Sequence, residues 1–218
     1  MPLHTVIFDM DGLLIDSEPQ WYAAANETLD RYNKTLTRTL YDTTTGLRTK
    51  EFVAYWFRYF DIPESEFAEA EKDIIARVMH KITTAPVIMP AVPYIFSFFK
   101  EKQFKIGIAS SSPPEIIERV VHLCGIENYV QAMVSAETLP YGKPHPQVYL
   151  DCAARLGSTP ESCICFEDSF NGMIAVKAAR MKCVIVPAPA LMKDPRWAAA
   201  DLKIASLQNF NDLHLALF

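Results

Sequence analysis

Short apolar runs alternate with longer amphipathic segments through most of the chain. Each run has the length of a strand, and the segment that follows it has the length of a helix. This alternation is typical of a parallel sheet covered by helices on both faces. The predicted strands are residues 5–8, 105–109, 132–135, 163–166 and 184–186. The pattern therefore predicts an α/β fold in which ligands bind at the carboxyl ends of the strands.

One long stretch breaks the alternation. Between residues 18 and 86 the pattern is helical throughout and rich in aromatic residues, as in residues 52–60 and 64–82. Pro86 and Pro90 mark the return to the alternating pattern. We therefore expect a small all-helical cap domain, residues 17–86, inserted into a core domain formed by residues 1–16 and 87–218.

Composition and charge narrow the class of protein. The 218 residues include 26 acidic and 21 basic ones, which gives a net charge of −5. This balance argues against a nucleic-acid partner, because such proteins usually carry a basic surface. The sequence shows neither a basic leader followed by an apolar run nor a span of about 18 uncharged apolar residues. The odd count of five cysteines fits a reducing compartment better than a disulfide framework. We therefore expect a cytoplasmic protein that does not bind membranes, and separately we expect a monomer.

The first predicted strand ends in a pair of acids, Asp9 and Asp11. Residues two apart on an extended chain project to the same side, so both carboxylates can face one ligand. Gly12 allows a tight turn just beyond them. Because like charges this close raise each other's pKa, a hard divalent cation such as Mg2+ is their natural partner. Taken alone, the pair is equally compatible with an acidic turn that binds nothing.

The second predicted strand ends in three serines, residues 110–112. Ser110 lies at the strand tip before a helix N-terminus, where its hydroxyl and the neighbouring amides could hold phosphate. Ser112 with Glu115 matches a capping box, and Pro113 suits the first helical position, so we expect Ser112 to be structural. A helix-entry serine without a ligand remains the alternative for Ser110.

Lys143 lies between Gly142 and Pro144 in an irregular loop that precedes a helix predicted at residues 147–156. These neighbours restrain the lysine more than most surface lysines are restrained. It could bring one ammonium group into a cluster of carboxylates and phosphate oxygens. A solvated loop lysine is the alternative interpretation.

The fourth predicted strand ends in adjacent acids, Glu167 and Asp168. Buried strand ends rarely carry paired acids without a counter-ion, so these residues are candidate metal ligands. A helix cap formed by Asp168 or Ser169 is the alternative.

Taken together, the four strand ends resemble the motifs of the haloacid dehalogenase superfamily of phosphohydrolases. The matching residues, in the family's order, are Asp9-Met-Asp11-Gly12, Ser110, Lys143-Pro144 and Glu167-Asp168. The resemblance implies a Rossmann-like parallel sheet core with a mobile cap. An insertion directly after the first motif resembles the subgroup of β-phosphoglucomutase-like enzymes.

The resemblance also implies roles for the matching residues. Asp9 would be the nucleophile that becomes an aspartyl-phosphate, and Asp11 the general acid and base. Ser110, Ser111 and Lys143 would hold the transferring phosphoryl group. Mg2+ would be bound by Asp9, the backbone carbonyl of Asp11, Asp168 and Glu167, with Glu167 acting directly or through water.

Longer matching runs narrow the resemblance. Residues 10–19, 135–154 and 167–181 are similar to bacterial sugar phosphatases. This similarity implies a small phosphorylated metabolite, of the 2-deoxyglucose 6-phosphate or hexitol phosphate type, as substrate.

Cap residues are expected to select that substrate. Gly46 and Arg48 resemble a cap loop that reaches into the active site, with Arg48 meeting substrate oxygens, although Arg48 could also simply begin a surface helix. Trp21 and Asn171 are further candidates for the pocket. Trp21 stands where the mutase relatives carry a histidine, which favours hydrolysis over a sugar phosphomutase. A non-catalytic binding protein is the other alternative, and the presence of every expected catalytic residue argues against it.

Overall fold

The computed structural model describes residues 2–218 and contains a six-stranded sheet in the order β3-β2-β1-β4-β5-β6. Every neighbouring pair of strands is parallel. The strands are β1 Thr5–Phe8, β2 Lys105–Ser110, β3 Ala132–Ser135, β4 Cys163–Glu167, β5 Lys182–Ile185 and β6 Leu202–Lys203. The predicted α/β fold with a Rossmann-like parallel core is confirmed.

Strand boundaries differ from the sequence prediction mainly at one edge of the sheet. The strand predicted at residues 184–186 begins earlier, at Lys182, and ends at Ile185. Strand β6 was not predicted, because its two residues form no apolar run. Strands β2 and β4 each extend one residue further than predicted, to Ser110 and Glu167. These extensions put two candidate site residues inside the sheet itself.

The nine helices among the described residues divide into two groups. Helices α1 Glu18–Leu29, α2 Arg38–Tyr41, α3 Thr49–Tyr59 and α4 Phe67–Thr84 follow β1, whereas the others alternate with the later strands. The second group is α5 Val92–Glu101, α6 Pro114–Cys124, α7 Gln147–Arg155, α8 Phe170–Ala178 and α9 Asp212–Leu215. Within residues 2–218, no helix combines the length and the apolar composition that a membrane span requires.

Alternating side chains along each central strand pack into two hydrophobic layers, one on each face of the sheet. In β1, Val6 and Phe8 pack with residues of α5 and α6, whereas Ile7 packs with residues of α7 and α8. The ring of Phe8 stacks on Phe96 and Phe166, with centroids 4.8 and 5.1 Å apart. Helices therefore cover both faces, so the chemistry is confined to the strand ends.

The helices α1 to α4 pack on one another and are joined to the sheet by two adjacent linkers. Helix α4 contacts both α1 and α3. The linkers are held side by side because Asp16 N–H donates to Val87 O at 2.8 Å and Met89 N–H donates to Leu14 O at 3.0 Å. These two hydrogen bonds lie at the predicted ends of the cap. The division of the chain into two domains stays a prediction.

Candidate active site

The candidate residues of β1, β2 and β4 lie at the same edge of the sheet. Strand β1 is flanked by β2 and β4, so the chain reverses its direction of winding beside the end of β1. In a parallel sheet this position forms a crevice in which ligands bind. A cavity opens there, between the strand ends and helices α1 to α4. Asp9, Asp11, Ser110, Lys143 and Asp168 all line it.

Lys143 is buried against the carboxylate of Asp9. Its Nζ donates to Asp9 Oδ1 at 2.5 Å, to Glu167 Oε1 at 2.6 Å and to Ala109 O at 3.2 Å. All three ammonium hydrogens therefore have acceptors. Burial lowers the pKa of Lys143, but the Asp9 and Glu167 carboxylates outweigh burial and raise that pKa above its ordinary value. The lysine is a fixed cation.

Glu167 is completely buried and holds this lysine in place. Its Oε1 accepts from Lys143 and, at 2.6 Å, from the hydroxyl of Tyr149. Its Oε2 accepts from the N–H groups of Asp168 and Ser169 and from Ser169 Oγ. A Cβ at Gly172 would collide with this carboxyl group, so the helix can approach Glu167 only with glycine there. Both oxygens are engaged by protein donors, which suits a residue that orients Lys143 rather than one that binds a metal directly.

Asp11 is surrounded by four donors. Its Oδ1 accepts from Ser17 Oγ at 2.6 Å and from the indole N–H of Trp21 at 2.9 Å. Its Oδ2 accepts from Ser112 Oγ at 2.7 Å and from Ser110 Oγ at 3.4 Å. The donors come from both the strand ends and helix α1, so the carboxylate is fixed where the helical segment meets the sheet.

The prediction that Ser112 caps a helix is wrong. Helix α6 begins at Pro114, and Pro113 occupies the cap position without a side-chain hydrogen bond. Two consecutive prolines move the helix start one residue beyond the predicted one, so Ser112 lies too far back to cap it. Its hydroxyl turns to Asp11 instead. Ser169, by contrast, does cap helix α8 by accepting from Gly172 N–H at 3.1 Å.

The acidic groups of the site fit a divalent cation. Oxygen atoms of Asp9, Glu167 and Asp168 lie within 4.8 Å of one another. Among residues 2–218, no N–H or O–H group donates to the carboxylate of Asp168. Burial, followed by the charges of Glu167 and Asp9, raises the pKa of Asp168 well above its ordinary value.

The charge balance at the site also favours a bound divalent cation. Burial also raises the pKa of Asp9, with the charges of Glu167 and Asp11 adding to the effect and Lys143 opposing it. Four carboxylates therefore share one ammonium group. Closely spaced oxygen ligands with excess negative charge are what Mg2+ prefers, so the residues present fit this ion.

Two predicted substrate-binding residues, of which Ser111 lines the cavity and Asn171 does not, hold the loop that precedes α3. Ser111 Oγ donates to Gly46 O at 2.8 Å, and Asn171 Nδ2 donates to Thr45 O at 3.1 Å. Gly46 has φ +85° and lies so close to Ser169 that a Cβ would approach its Oγ at 2.8 Å. The loop thereby closes one wall of the cavity, with Gly46 and Trp21 among its lining residues.

Arg48 lies elsewhere than its predicted role requires. The side chain is buried, and its Nη1 donates to Ala136 O at 3.2 Å and to Leu139 O at 2.6 Å. Its Nη2 pairs with Glu51 at 2.5 Å. The guanidinium group is thus committed to a core loop and to its own helix, and Arg48 is not among the residues lining the cavity. In this structure Arg48 joins the helical segment to the core.

Several site residues were missed by the sequence analysis. Ser17 and Ser112 bond to Asp11, Tyr149 bonds to Glu167, and Glu18 and Tyr41 line the cavity. Tyr149 resembles an ordinary apolar position of its helix, and Tyr41 lies far from every motif in the sequence. Ser17, Glu18 and Tyr149 carried a signal, because they fall within the runs at residues 10–19 and 135–154 that are similar to sugar phosphatases.

Comparison with known proteins identifies the family. The haloacid dehalogenase-like hydrolase model matches residues 6–186. The chain is 43% identical to hexitol phosphatase B of Escherichia coli over 203 residues, covering 92% of this chain and 91% of that protein. It is 32% identical to the phosphorylated carbohydrates phosphatase of Thermotoga maritima over 180 residues, covering 81% and 82%.

A solved structure shares the fold. The β-phosphoglucomutase of Clostridium difficile superposes with a TM-score of 0.88 at 21% identity, over 98% of this chain and 96% of that one. At this identity the likeness shows the fold alone. Together with the family match over most of the chain, it shows that the chain belongs to the haloacid dehalogenase-like hydrolases.

Proposed function

We propose that the chain is a Mg2+-dependent phosphomonoester hydrolase that acts on sugar or sugar-alcohol phosphates through an aspartyl-phosphate at Asp9. The observation that carries this proposal is the asymmetry of the Asp9 carboxylate. Oδ1 is held by Lys143 at 2.5 Å, whereas Oδ2 accepts no hydrogen bond from the described residues, and Asp9 lines the cavity. A carboxylate with one oxygen fixed and the other free is arranged for nucleophilic attack.

The first half of the reaction joins Asp9 to phosphorus. Oδ2 of Asp9 attacks the phosphorus atom, and the bond from phosphorus to the ester oxygen breaks. The leaving alkoxide takes a proton from the carboxyl group of Asp11, so a neutral alcohol departs. Ser110 lines the same cavity and can donate to an oxygen of the phosphoryl group.

The second half regenerates the carboxylate. Asp11, now ionised, takes a proton from a water molecule that attacks the phosphorus atom, and the bond between phosphorus and Asp9 breaks. Inorganic phosphate is released with the second proton still shared among its oxygens. Four donors hold Asp11 in one place, which suits a group that must serve first as acid and then as base.

Asp9, Asp168 and the backbone carbonyl of Asp11 would hold the Mg2+ ion, with Glu167 behind them holding Lys143. The ion would offset the repulsion between anionic nucleophile and anionic substrate. Lys143 supplies one positive charge, which is too little for a phosphate dianion surrounded by four carboxylates.

The substrate class rests on the relatives. Both reported relatives that exceed 30% identity are named for phosphorylated sugars or hexitols, and each is matched over more than two thirds of its length. Trp21 favours hydrolysis over a mutase reaction, in which the phosphoryl group moves from one position of the sugar to another. Its indole N–H only donates, so it cannot relay a proton as a histidine at this position could.

The experiment is an assay of phosphate release from a panel of phosphorylated sugars and polyols, with and without Mg2+. We expect release that requires Mg2+, favours sugar or hexitol phosphates over an aryl phosphate, and disappears in Asp9→Asn. Asp30→Asn, the same substitution at an exposed position after α1, is the matched control. An isomeric sugar phosphate in place of free phosphate would support a mutase. Full activity of Asp9→Asn would exclude Asp9 as the nucleophile.

A further inference from the structure

One part of the cavity is lined by the helical segment rather than by the strand ends. Glu18 and Tyr41 lie there beside threonines and an aromatic ring; the lining residues include Thr44, Thr45, Thr49 and Phe52. No step of the proposed mechanism uses Glu18 or Tyr41. A charged side chain that faces a cavity without a role in the chemistry points to recognition of whatever occupies that cavity.

Glu18 and Tyr41 form a hydrogen-bonded pair with one acceptor left over. The Tyr41 hydroxyl donates to Glu18 Oε2 at 3.0 Å, and the Tyr41 side chain is otherwise buried. Oε1 of Glu18 accepts no hydrogen bond from residues 2–218, although the residue lines the cavity. Burial, with the charge of Asp11 next, raises the pKa of Glu18 to about 7. An oxygen of this kind is suited to accept hydrogen bonds from hydroxyl groups of a ligand.

Among the described residues, no free basic side chain lines this part of the cavity. Lys143 is the only basic residue lining it, and Lys143 is fully occupied by Asp9 and Glu167. Arg48 is bound to the core loop, outside the cavity. Arg38 lies over the Tyr41 ring at 5.5 Å, and its charge lowers the pKa of Glu18, but Arg38 pairs with Asp42 on the exposed side and Asp42 acts in the opposite direction. A second phosphate or a carboxylate on the substrate would therefore meet Glu18 with little balancing charge.

We infer that Glu18 and Tyr41 are specificity-determining residues that bind the hydroxyl groups of an uncharged, polyhydroxylated leaving group and reject a second anionic group there. This inference rests on the proposed function and narrows it. Glu18 accepts hydrogen bonds from the polyol, and Tyr41 fixes the direction of the carboxylate. The substrate is then a monophosphate whose remaining carbons carry hydroxyl groups only.

The test compares two substrates of equal length that differ in charge at the end distant from the phosphate. Sorbitol 6-phosphate ends in a hydroxymethyl group, and gluconate 6-phosphate ends in a carboxylate. At pH 8, above the Glu18 pKa of about 7, we expect the wild-type protein to favour sorbitol 6-phosphate in kcat/KM by about tenfold or more, because a charged acceptor distinguishes a donor from a second anion. In Glu18→Gln this preference falls to within about threefold, since the amide accepts and donates without repulsion.

A third substrate separates recognition from chemistry. An aryl phosphate has no hydroxyl groups to bind. For sorbitol 6-phosphate, we expect Glu18→Gln and Tyr41→Phe to raise KM more than they lower kcat, and to lower kcat/KM relative to the aryl phosphate by about tenfold and threefold respectively. Glu27→Gln, whose carboxylate pairs with Arg77 and Lys81 of α4 and does not line the cavity, and Tyr22→Phe, whose hydroxyl donates to Leu36 O, are the matched controls.

The outcomes show separately whether the inference about Glu18 fails and whether the proposed phosphatase function fails. If the wild-type protein hydrolyses the aryl phosphate but Glu18→Gln keeps the wild-type preference between the two six-carbon substrates, the inference is wrong and the proposed function stands. If the wild-type protein releases phosphate from none of the three substrates with Mg2+, the proposed function fails and the inference with it. Circular dichroism of each variant shows that it is folded before its ratios are compared.

Discussion

Trp21 donates its indole N–H to Oδ1 of Asp11 at 2.9 Å, which ties helix α1 to the turn that follows β1. The other donors to Asp11 are hydroxyl groups of Ser17, Ser110 and Ser112, so Trp21 supplies the only ring among them. A side chain from the helical segment therefore helps to set the position of the proposed acid and base. Trp21 is a positioning residue in this account.

Replacing Trp21 tests this positioning. In Trp21→Phe the ring remains but the N–H is lost, so we expect kcat to fall about tenfold with KM changed less than about threefold. Trp21→His, which restores an N–H, should recover part of kcat. Trp197→Phe is the control, because its indole N–H bonds to Leu191 O outside the cavity. If Trp21→Phe instead raises KM as much as it lowers kcat, the lost group of Trp21 binds substrate.

Removing Lys143 should destabilise the protein far more than removing an exposed lysine. Lys143→Met leaves Glu167 buried without its cation, and we expect a loss of about 3–5 kcal/mol in the free energy of unfolding. Lys177→Met breaks a partly exposed pair with Asp201 and should cost less than about 1 kcal/mol. Urea denaturation of metal-free protein measures both. A loss below 1 kcal/mol for Lys143→Met would show that the pair with Glu167 contributes little.

Glu18 should make stability depend on pH in the metal-free protein. Burial, and then the charge of Asp11, raises the pKa of Glu18 from 4.5 to about 7. Between these values the folded state keeps a proton that the unfolded state has lost, so the free energy of unfolding falls as pH rises and is level above pH 7. Relative to the wild type, Glu18→Gln should gain about 2 kcal/mol between pH 4.5 and pH 8, allowing for contact of the carboxyl with water in the cavity.

Glu27 on the same helix provides a control of opposite sign. The hydrogen bond from Lys81, aided by the one from Arg77 and opposed by burial, lowers the pKa of Glu27 below its ordinary value. Its contribution to stability is present above pH 4.5 and is lost as pH falls through the folded-state pKa. Glu27→Gln should therefore show no relative gain on going from pH 4.5 to pH 8. Parallel pH curves for the two variants would contradict the assignment for Glu18.

Binding of Mg2+ should be visible without substrate. An ion that binds only the folded state stabilises it by about 2.7 kcal/mol at a concentration one hundred times its Kd. We expect Mg2+ to raise the Tm of the wild-type protein and EDTA to reverse the rise. Asp168→Asn should abolish the response, whereas Asp151→Asn, on α7, should retain it. A full Mg2+ response in Asp168→Asn would remove that residue from the metal site.

The sequence pattern was sufficient for the sheet because each strand is apolar, short and bounded by a helix. The same pattern located the strand-end acids and Ser110, since chemistry in a parallel sheet gathers where strands end. The edge strand β6 was not predicted, because a strand of two residues is too short to show a pattern of apolar positions. The Ser112 capping box failed because two prolines shifted the helix start by one residue.

Contacts across the cavity could not be predicted from local sequence. The partners of Arg48 lie 88 and 91 residues away in the chain, and which carbonyl groups its guanidinium meets depends on how the helical segment sits on the core. The pairing of Glu18 with Tyr41 likewise joins two helices through a fold in the chain. Residue type and spacing carry no information on such distances.

Trapping the covalent intermediate shows whether Asp9 carries the phosphoryl group. Asp11→Asn lacks the base that activates water, so acid quenching during reaction with an aryl phosphate and Mg2+ should leave phosphoryl-enzyme. Mass mapping of the peptides should then place one phosphoryl group on Asp9, and none in Asp9→Asn. A phosphoryl group on Ser110, or phosphate release with no phosphorylated peptide at any quench time, would exclude an aspartyl-phosphate at Asp9.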